Sequence, residues 1–301
     1  MAVPSGITMK VVVAGANGNL GRRLIGVLGN AHQVLALVRS PAAAEHLIAL
    51  PCQVAIVGYQ DVERLSALIE DFDVLINLTG IIKASRLNTY IKAHEEVARG
   101  LVAACQRAGV ERLIALGICG SDEEAANDCF RSRAACERIQ LEGGQDAVIL
   151  RVPMVLGEGD FASAALIRNA ASRLAFTFRA SSLEQPIYAG DVIAAIEQLL
   201  GSPVRGIITL AGPESLPRKQ LITRCAALIE NDANRVVSLP MALGLGIAFV
   251  LERLMRSPPV TRAMLGVLDH DDHFDEPVPS ELELTLTPLD VMLKRVAESV
   301  T

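Results

Sequence analysis

The chain has 301 residues, of which 51% are hydrophobic and 3% aromatic, and its formal net charge is −6. This length and hydrophobic content suit a large α/β domain with a smaller part appended to it. The acidic balance, the lack of a basic run and the few aromatic residues argue against the surfaces that bind nucleic acids, so we expect no nucleic-acid partner.

The predicted elements alternate between strands and helices from the amino terminus. Several strands are continuous apolar runs, which is typical of strands buried on both faces of a parallel sheet. The six strands are predicted at 10–14, 33–38, 53–57, 74–78, 112–116 and 147–152. Helices are predicted at 18–29, 86–108, 130–142 and 190–200. This alternation predicts an α/β fold with a doubly wound parallel sheet, the Rossmann architecture.

Two of these helices carry more detailed expectations. Leu87, Ile91 and Leu101 recur at near-helical spacing and predict one apolar face for the helix over 86–108. Asp191 stands at the front of the helix over 190–200, where it is expected to act as the N-cap.

The regular alternation of predicted strands and helices ends after about residue 153. The elements predicted beyond it are helices at 163–173, 218–230, 241–256 and 288–300 and strands at 174–179 and 206–211. We therefore expect a Rossmann domain formed by 1–153 plus about 186–234. A smaller C-terminal α/β domain would comprise about 154–185 plus 235–301.

The six cysteines are scattered and include no C-x-x-C pair, so we expect no zinc site and no disulfide framework. Reduced, buried thiols are typical of a cytosolic protein. The first six residues lack the features of a signal peptide. The longest strongly apolar run, 239–251, has roughly 13 residues and falls short of the ~18–20 that a membrane span needs. These features predict a cytoplasmic location.

The first predicted strand runs into a glycine-rich turn, directly before a helix. Its residues are Gly15, Ala16, Asn17, Gly18, Asn19, Leu20 and Gly21. A dinucleotide pyrophosphate needs bare backbone N–H groups and a helix N-terminus aimed at it. The three glycines serve the turn, the close approach of the phosphate and the packing of helix on strand. The turn therefore predicts a nicotinamide dinucleotide site, and a purely structural turn is the alternative.

The ends of the second and fourth strands refine the prediction. An aspartate or glutamate after the second strand would bind the ribose hydroxyls of NAD, but this chain has Arg39 at that position. Because a guanidinium suits a 2′-phosphate, we favour NADP(H) over NAD(H). Thr79 and Gly80 follow the fourth strand, and we expect them beside the phosphates or the ribose.

The order of these motifs resembles the short-chain dehydrogenase/reductase superfamily, in its extended or atypical branch. Segments 15–21, 75–81, 185–192, 210–214 and 286–289 carry the resemblance. Segment 75–81 is similar to one subgroup, the NAD(P)H-binding accessory subunit of respiratory complex I and its bacterial relatives.

Catalytic members of the superfamily use a Ser, a Tyr and a Lys near the fifth strand and the following helix. The resemblance maps these positions onto Gly117, Cys129 and Arg133, none of which matches. A thiol is more acidic than a phenol, but a cysteine side chain ends roughly 4 Å short of a tyrosine hydroxyl. Arg133 retains donors that suit ribose hydroxyls. The site is therefore expected to bind a dinucleotide without the usual proton donor.

Tyr188 is the candidate substitute acid, with a packed ring as the alternative. Cys129 beside Arg133 is a second candidate, as a reactive thiol. His94, on the helix over 86–108, is expected to be a hydrogen-bonded core residue rather than a base. The stretch 270–273, His-Asp-Asp-His, resembles a metal cluster, but a solvated loop is the preferred interpretation and no metal is expected.

The helix over 241–256 is apolar almost all round. Such a helix is buried in the core, in a partner protein or in a membrane surface, and the sequence leaves these three alternatives open.

Three functions remain open at this stage. The resemblance implies an NADP(H)-binding protein without the Ser/Tyr/Lys set, with a structural, sensing or assembly role near respiratory or quinone metabolism and a place peripheral to the inner membrane. A working oxidoreductase or isomerase with Tyr188 or Cys129 as a rewired acid is the second. A redox-sensing regulator that binds a partner protein is the third.

Overall fold

The structure is a computed structural model in which residues 8–299 are described. The strands, in chain order, are β1 (Lys10–Ala14), β2 (Gln33–Val38), β3 (Gln53–Ile56), β4 (Val74–Asn77), β5 (Arg112–Ile118), β6 (Asp146–Val152), β7 (Val155–Leu156), β8 (Leu174–Phe178), β9 (Leu183–Glu184), β10 (Ile187–Tyr188), β11 (Gly206–Thr209), β12 (Leu216–Pro217) and β13 (Arg235–Leu239). The helices are α1 (Asn19–Leu28), α2 (Pro41–Glu45), α3 (Val62–Ile69), α4 (Val97–Ala108), α5 (Asp128–Leu141), α6 (Phe161–Ala171), α7 (Ala189–Leu200), α8 (Arg218–Leu228), α9 (Met241–Leu254), α10 (Arg262–Leu268) and α11 (Leu289–Glu298). None of the helices described is long and apolar enough to cross a membrane.

The central feature is a seven-stranded sheet in the order β11-β6-β5-β4-β1-β2-β3. β1 pairs in parallel with both β2 and β4, and the parallel pairing continues outward to β3 and β5. The chain order reverses between β1 and β4, which is where doubly wound folds hold their ligands, beyond the carboxyl ends of the strands. The predicted fold class is confirmed, and the six predicted strands are found to within two residues at either end.

Two compact units divide the chain. The first contains the residues up to Ile81, with Asn88–Arg151 and Ile193–Ile208; the second contains Ile82–Leu87, Val152–Val192 and the chain from Thr209 onward. This division differs from the predicted domain boundaries, because 82–87, 186–192 and 209–234 lie in the second unit. There α8 contributes Leu221, Ile222 and Cys225 to a core shared with α6 and α11.

The helix predicted over 86–108 begins later than expected. Regular structure starts at Ile91 with a π-helical segment, Ile91–Glu96, that continues into α4. Leu87 lies before it, 88% exposed, and Ile91 is also exposed, so their predicted place on a buried face is wrong. The π-helical segment brings His94 to the chain that follows β4, where its ring nitrogen contacts Ile81.

Asp191 is not the N-cap of its helix, since α7 begins at Ala189. Its carboxylate accepts hydrogen bonds from the backbone N–H of Thr287, at 2.8 Å, and from the Thr287 hydroxyl, at 2.7 Å. Asp191 therefore anchors the segment before α11 within the second unit.

The charged stretch around 270–273 is a loop with Asp271 and His273 exposed, as predicted, but the loop is held in place and Asp272 is not solvated. Asp271 pairs with Arg179 and accepts from the backbone N–H of Leu183 at 2.8 Å. Asp272 is buried, and burial raises the pKa of its carboxyl to about 7, with Glu184 and Asp271 adding to the effect. Within residues 8–299, no group of three metal-ligating side chains is close enough to hold an ion.

α9 is largely exposed, which contradicts the first of the three alternatives, a helix buried in the core. Gly244 and Ala248 are its buried residues, whereas most of its large apolar side chains face outward. Gly244 packs against Phe178, because a Cβ there would lie 2.8 Å from the Phe178 ring. The described chain therefore leaves most of the large apolar side chains of the helix exposed, although Arg262 of α10 contacts Phe249 and Glu252.

Candidate functional site

The glycine-rich turn has the geometry that a diphosphate requires. Gly15 has a φ of +80°, which other residues rarely adopt. A Cβ on Gly21 would lie 2.6 Å from the Gly15 carbonyl oxygen, so α1 packs on the turn as closely as glycine permits. Gly18 is exposed and stands at the N-cap without a side-chain cap, and the first turn of α1 carries no acid. This N-terminus therefore suits an anion.

The neighbouring candidates have distinct places around this turn. Ala16 is buried beneath it, Asn17 is exposed beside Gly18, and Leu20 is half-buried. The Asn19 side-chain oxygen accepts from Arg23 Nε at 3.1 Å. The structure thus brings the seven predicted residues together as one turn leading into α1.

Tyr59 fixes the turn from outside the motif, and the sequence analysis missed it. Its hydroxyl accepts from the Gly15 backbone N–H at 3.1 Å and donates to the Leu37 carbonyl at 3.3 Å. The ring is buried, and burial raises the pKa of the phenol, which therefore stays protonated. Tyr59 ties the end of β1 to β2.

Arg39 directly follows β2 and is exposed. Among residues 8–299, no carboxylate lies within ion-pair distance of its guanidinium. Ser40, the next residue, caps α2 by accepting from the Ala43 N–H at 3.3 Å. Arg39 is thus held beyond the carboxyl end of β2 with its donors available to a phosphate.

A buried polar network shapes the chain beyond β4. Asn77 Oδ1 accepts from the Thr79 backbone N–H at 3.0 Å and from the Thr79 hydroxyl at 2.6 Å. Gln140 on α5 accepts in turn from Asn77 Nδ2 at 2.8 Å. Gly80 follows with a φ of +154°, a conformation that L side chains rarely adopt. The segment is therefore fixed from both the sheet and α5.

Cys129 is fully buried on α5, and its thiol donates to the Ile81 carbonyl at 3.7 Å. Burial raises the thiol pKa to about 11, although nearby Arg133 and a hydrogen bond with Tyr90 oppose the rise. Burial therefore disfavours a reactive thiol at this position, and the role of Cys129 as a substitute acid stays a prediction.

His94 is buried beside the same carbonyl, and its Nε2 lies 3.1 Å from the Ile81 nitrogen and 3.0 Å from the Ile81 oxygen. Burial and the cation of Arg133 lower the pKa of His94 to about 3, so its ring is neutral. His94 serves the backbone after β4, as expected for a hydrogen-bonded core residue.

Arg133 lies against the backbone of Gly80. A Cβ on Gly80 would fall 1.9 Å from Arg133 Nη2, and Arg133 Nη1 donates to the Thr79 carbonyl at 3.2 Å. The residue is only 9% exposed, its Nε has no partner, and no carboxylate of the described chain forms an ion pair with it. A buried cation without a counter-charge is costly, which favours a polar or anionic ligand near this guanidinium.

Gly117 has no room for a side chain. A Cβ there would lie 2.6 Å from Glu137 Oε1 and 2.9 Å from side-chain atoms of both Arg151 and Ile149. Glu137 is buried and accepts from Arg151 Nη2 at 2.6 Å. Burial raises the pKa of its carboxyl, with Arg151 opposing the rise. Glu137 could not be predicted from the sequence, because α5 is only weakly amphipathic and its residue pattern does not show which face is buried.

Tyr188 belongs to the second unit and is buried there. Its hydroxyl donates to Glu158 Oε1 at 2.8 Å, and the guanidinium of Arg295 lies 5.2 Å from the centre of its ring. The phenol is therefore already engaged with a carboxylate, and a role as a substitute acid stays a prediction.

A comparison of the sequence with models of known protein families finds a match that includes the glycine-rich turn. A family model described as NAD(P)H-binding matches residues 15–151, which run from the first glycine of the turn to β6.

Two curated relatives match at low identity. Ceramide reductase of Caulobacter vibrioides is 25% identical over 67% of this chain and 64% of that protein. The mitochondrial NADH dehydrogenase (ubiquinone) 1 alpha subcomplex subunit 9 of Arabidopsis thaliana is 26% identical over 82% of this chain and 64% of that protein. The chain thus spans slightly less than two thirds of the length of either relative.

Solved structures share the fold at still lower identity. The Bordetella bronchiseptica enzyme WbmH, in complex with NAD+, superposes with a TM-score of 0.72 at 14% identity, over 97% of this chain and 98% of that one. UDP-N-acetylglucosamine 4-epimerase from Bacillus cereus gives a TM-score of 0.66 at 15% identity, over 97% and 96%. These likenesses establish the fold alone.

Proposed function

We propose that the chain is a member of the atypical branch of the short-chain dehydrogenase/reductase superfamily and that it binds a nicotinamide dinucleotide; the NAD(P)H-binding family model and the two relatives support this proposal. We infer that it binds NADP(H) in the first unit and that its site lacks the proton donor of catalytic members. The bound nucleotide then serves structure, sensing or assembly.

The residues of the first unit divide the binding task between them. The backbone N–H groups of the Gly15–Gly21 turn and the N-terminus of α1 would hold the diphosphate. Arg39 would bind the 2′-phosphate, where charge-assisted hydrogen bonds are strong. Arg133 would donate to ribose hydroxyls, and Thr79 and Gly80 would line the same stretch. The nicotinamide ring, when bound, supplies the capacity to give or take a hydride.

The burial of the Cys129 thiol is the observation that supports the absence of the usual hydride-transfer reaction. A general acid must come within about 3 Å of the atom it protonates. The Cys129 thiol is instead buried against the Ile81 carbonyl with a pKa raised to about 11. Neutral His94 is bound to the same residue, and Gly117 offers no side chain. The mapped positions thus hold the chain after β4 in place and leave the reaction without a donor.

The proposal also includes the location of the protein in the cell. A relative whose printed name is that of a subunit of a ubiquinone-linked NADH dehydrogenase supports a role near respiratory or quinone metabolism. We propose a cytoplasmic protein that works peripheral to the inner membrane.

Nucleotide titration by calorimetry tests the binding site. Gly18 has a φ of −66°, which aspartate also adopts, so Gly18→Asp keeps the N-cap while it sets a negative charge against the diphosphate. We expect this variant to lose measurable NADPH binding. Arg39→Glu is expected to weaken NADPH by about 10- to 100-fold and to weaken NADH much less.

The matched control is Arg107→Glu, which makes the same charge change at an exposed position on α4. It is expected to bind NADPH like the unaltered protein. NADPH affinities that are equal in Gly18→Asp, Arg39→Glu and the control would overturn the assigned site.

A second candidate function is an NADPH-dependent reductase. The buried Glu137 carboxyl, with its raised pKa, occupies the space beside Gly117, and one relative is named a reductase. NADPH oxidation is to be followed with carbonyl compounds, long-chain ketones among them. Turnover that is lost in Glu137→Gln or Tyr188→Phe would establish a rewired acid and overturn the first proposal.

A further inference from the structure

The outward side of α9 is a continuous apolar surface. Leu243, Ile247, Val250 and Leu254 follow one another at spacings of four, three and four residues, which places them on one stripe of the helix. Ile247 is 50% exposed and Leu254 is 78% exposed, and Phe249 beside them is also exposed. We call these five residues the α9 face.

The second unit does not use this face for its own core. The buried residues of α9 are Gly244 and Ala248, and the absence of a side chain on Gly244 is what allows Phe178 to pack against the helix. Apolar patches of this kind on soluble proteins mark interaction sites. The α9 face is therefore available to an external apolar surface.

Arginines border one end of the α9 face. Arg253 and Arg262 lie on the ring of Phe249, with guanidinium carbons 5.1 and 5.3 Å from its centre. Arg256 follows the helix, and its carbonyl accepts from the backbone N–H of Arg86 at 3.5 Å. The carboxyl-terminal end of α9 thus gathers four arginines, and the highly exposed Leu87 directly follows Arg86.

These cations are mostly uncompensated. Arg262 pairs with Glu252, the sole acid of α9, at 2.8 Å. No carboxylate among residues 8–299 lies within ion-pair distance of Arg86, Arg253 or Arg256. An apolar stripe with a cationic end is complementary to a surface that offers hydrocarbon beneath negative headgroups.

We propose that α9 docks the protein onto a lipid bilayer that carries anionic headgroups, with the helix lying in the plane of the interface. A helix of 14 residues is about 21 Å long, which is short of the ~30 Å hydrocarbon core but suits an in-plane position. Leu243, Ile247, Val250 and Leu254 enter the boundary between headgroups and acyl chains. The arginines at the end of the helix pair with lipid phosphates.

The charges at the end of α9 favour a bilayer over a second copy of the chain as the binding partner of the α9 face. Pairing two α9 faces would add three further uncompensated arginines to the contact, and Glu252 is already paired with Arg262. A bilayer with anionic lipid supplies the missing counter-charge. The whole chain carries a net charge of −6, so the attraction comes from the local arginines alone; because salt screens it beyond about a Debye length, it depends on anionic lipid and on low salt.

Vesicle flotation with the full chain tests the proposal. The probes are phosphatidylcholine vesicles with and without phosphatidylglycerol. We expect binding to the anionic vesicles and none to the neutral ones. Ile247→Glu should lower the partition coefficient at least roughly tenfold, since it sets a charge in the apolar stripe. Arg253→Glu and Arg256→Glu should each lower it by about fivefold or more, with the effect shrinking at high salt.

Ile48→Glu is the matched control, because Ile48 is exposed in the first unit and the substitution is the same. It should bind anionic vesicles like the unaltered chain. Equal partitioning of Ile247→Glu and Ile48→Glu, or no binding of the unaltered chain to anionic vesicles, would overturn the proposal. A dimer in solution that dissociates in Ile247→Glu would overturn it in favour of a second copy.

Discussion

The contact between Gly80 and Arg133 makes a quantitative prediction about the site. In Gly80→Ala the new Cβ would fall 1.9 Å from Arg133 Nη2 and 2.3 Å from Cζ, so the guanidinium must move. A non-glycine residue at the φ of +154° costs about 1–3 kcal/mol. Losing the Arg133 hydrogen bond to the Thr79 carbonyl in a buried setting adds about 1–3 kcal/mol. The free energy of unfolding should therefore fall by about 2–6 kcal/mol.

A double-mutant cycle separates the two contributions. Urea unfolding of Gly80→Ala, Arg133→Ala and the double variant should show the double variant about 1–3 kcal/mol more stable than additivity predicts, because the clash is gone while the backbone strain stays. Gly109→Ala is the control, since Gly109 has a φ of +73° and open space around it. It should lose only the backbone term and show no coupling to Arg133. Additive costs at Gly80 would refute the reasoning.

Three further predictions concern buried groups. Tyr59→Phe leaves the Gly15 N–H without its acceptor, so the free energy of unfolding should fall by about 1–3 kcal/mol. The affinity for NADPH, measured by calorimetry, should fall as well. An unchanged affinity would argue against a role of Tyr59 in shaping the turn. Asp272 has a pKa raised from 3.8 to about 7 in the folded chain, so the fold binds an extra proton and stability falls as the pH rises between these values. Asp272→Asn should therefore be more stable than the unaltered protein at pH 8, by up to roughly 4 kcal/mol, and similar to it near pH 4 in thermal unfolding; parallel stability curves would contradict the assignment. Thiol titration of the native protein should modify half-buried Cys52 first and leave Cys129 protected, so a fast phase that disappears in Cys129→Ser would contradict the burial of that thiol.

The sheet and the glycine turn were readable in the sequence because local pattern determines both. The strand Lys10–Ala14 is a short β-branched run with glycine directly after it, a pattern that is typical of a buried parallel strand followed by a tight turn. Arg39 was found for the same reason, since it directly follows a predicted strand.

The contacts that support the site could not be predicted, although the resemblance pointed to Arg133 itself, because these contacts are long-range. Tyr59 meets Gly15 across 44 residues, and Arg133 meets the Thr79 carbonyl across 54. Neither pair leaves a local signal in the sequence. The π-helical segment after Tyr90 also has an irregular period, so the apolar spacing predicted a helix that started too early.

α9 shows a different limit of sequence reading. A helix that is apolar all round has the same pattern whether it faces a core, a partner or a bilayer. The contact of Gly244 and Ala248 with the rest of the chain argues only against the core alternative, and it becomes visible only when Phe178 is seen against Gly244.

The most direct test of the central claim is a crystal structure of the full chain with NADP+ bound. The diphosphate should lie on the backbone N–H groups of the Gly15–Gly21 turn with the 2′-phosphate at Arg39, and no carboxyl, phenol or thiol should come within about 3 Å of the nicotinamide C4 or its carboxamide. Density for the nucleotide elsewhere, or an acidic side chain in contact with C4, would contradict the account.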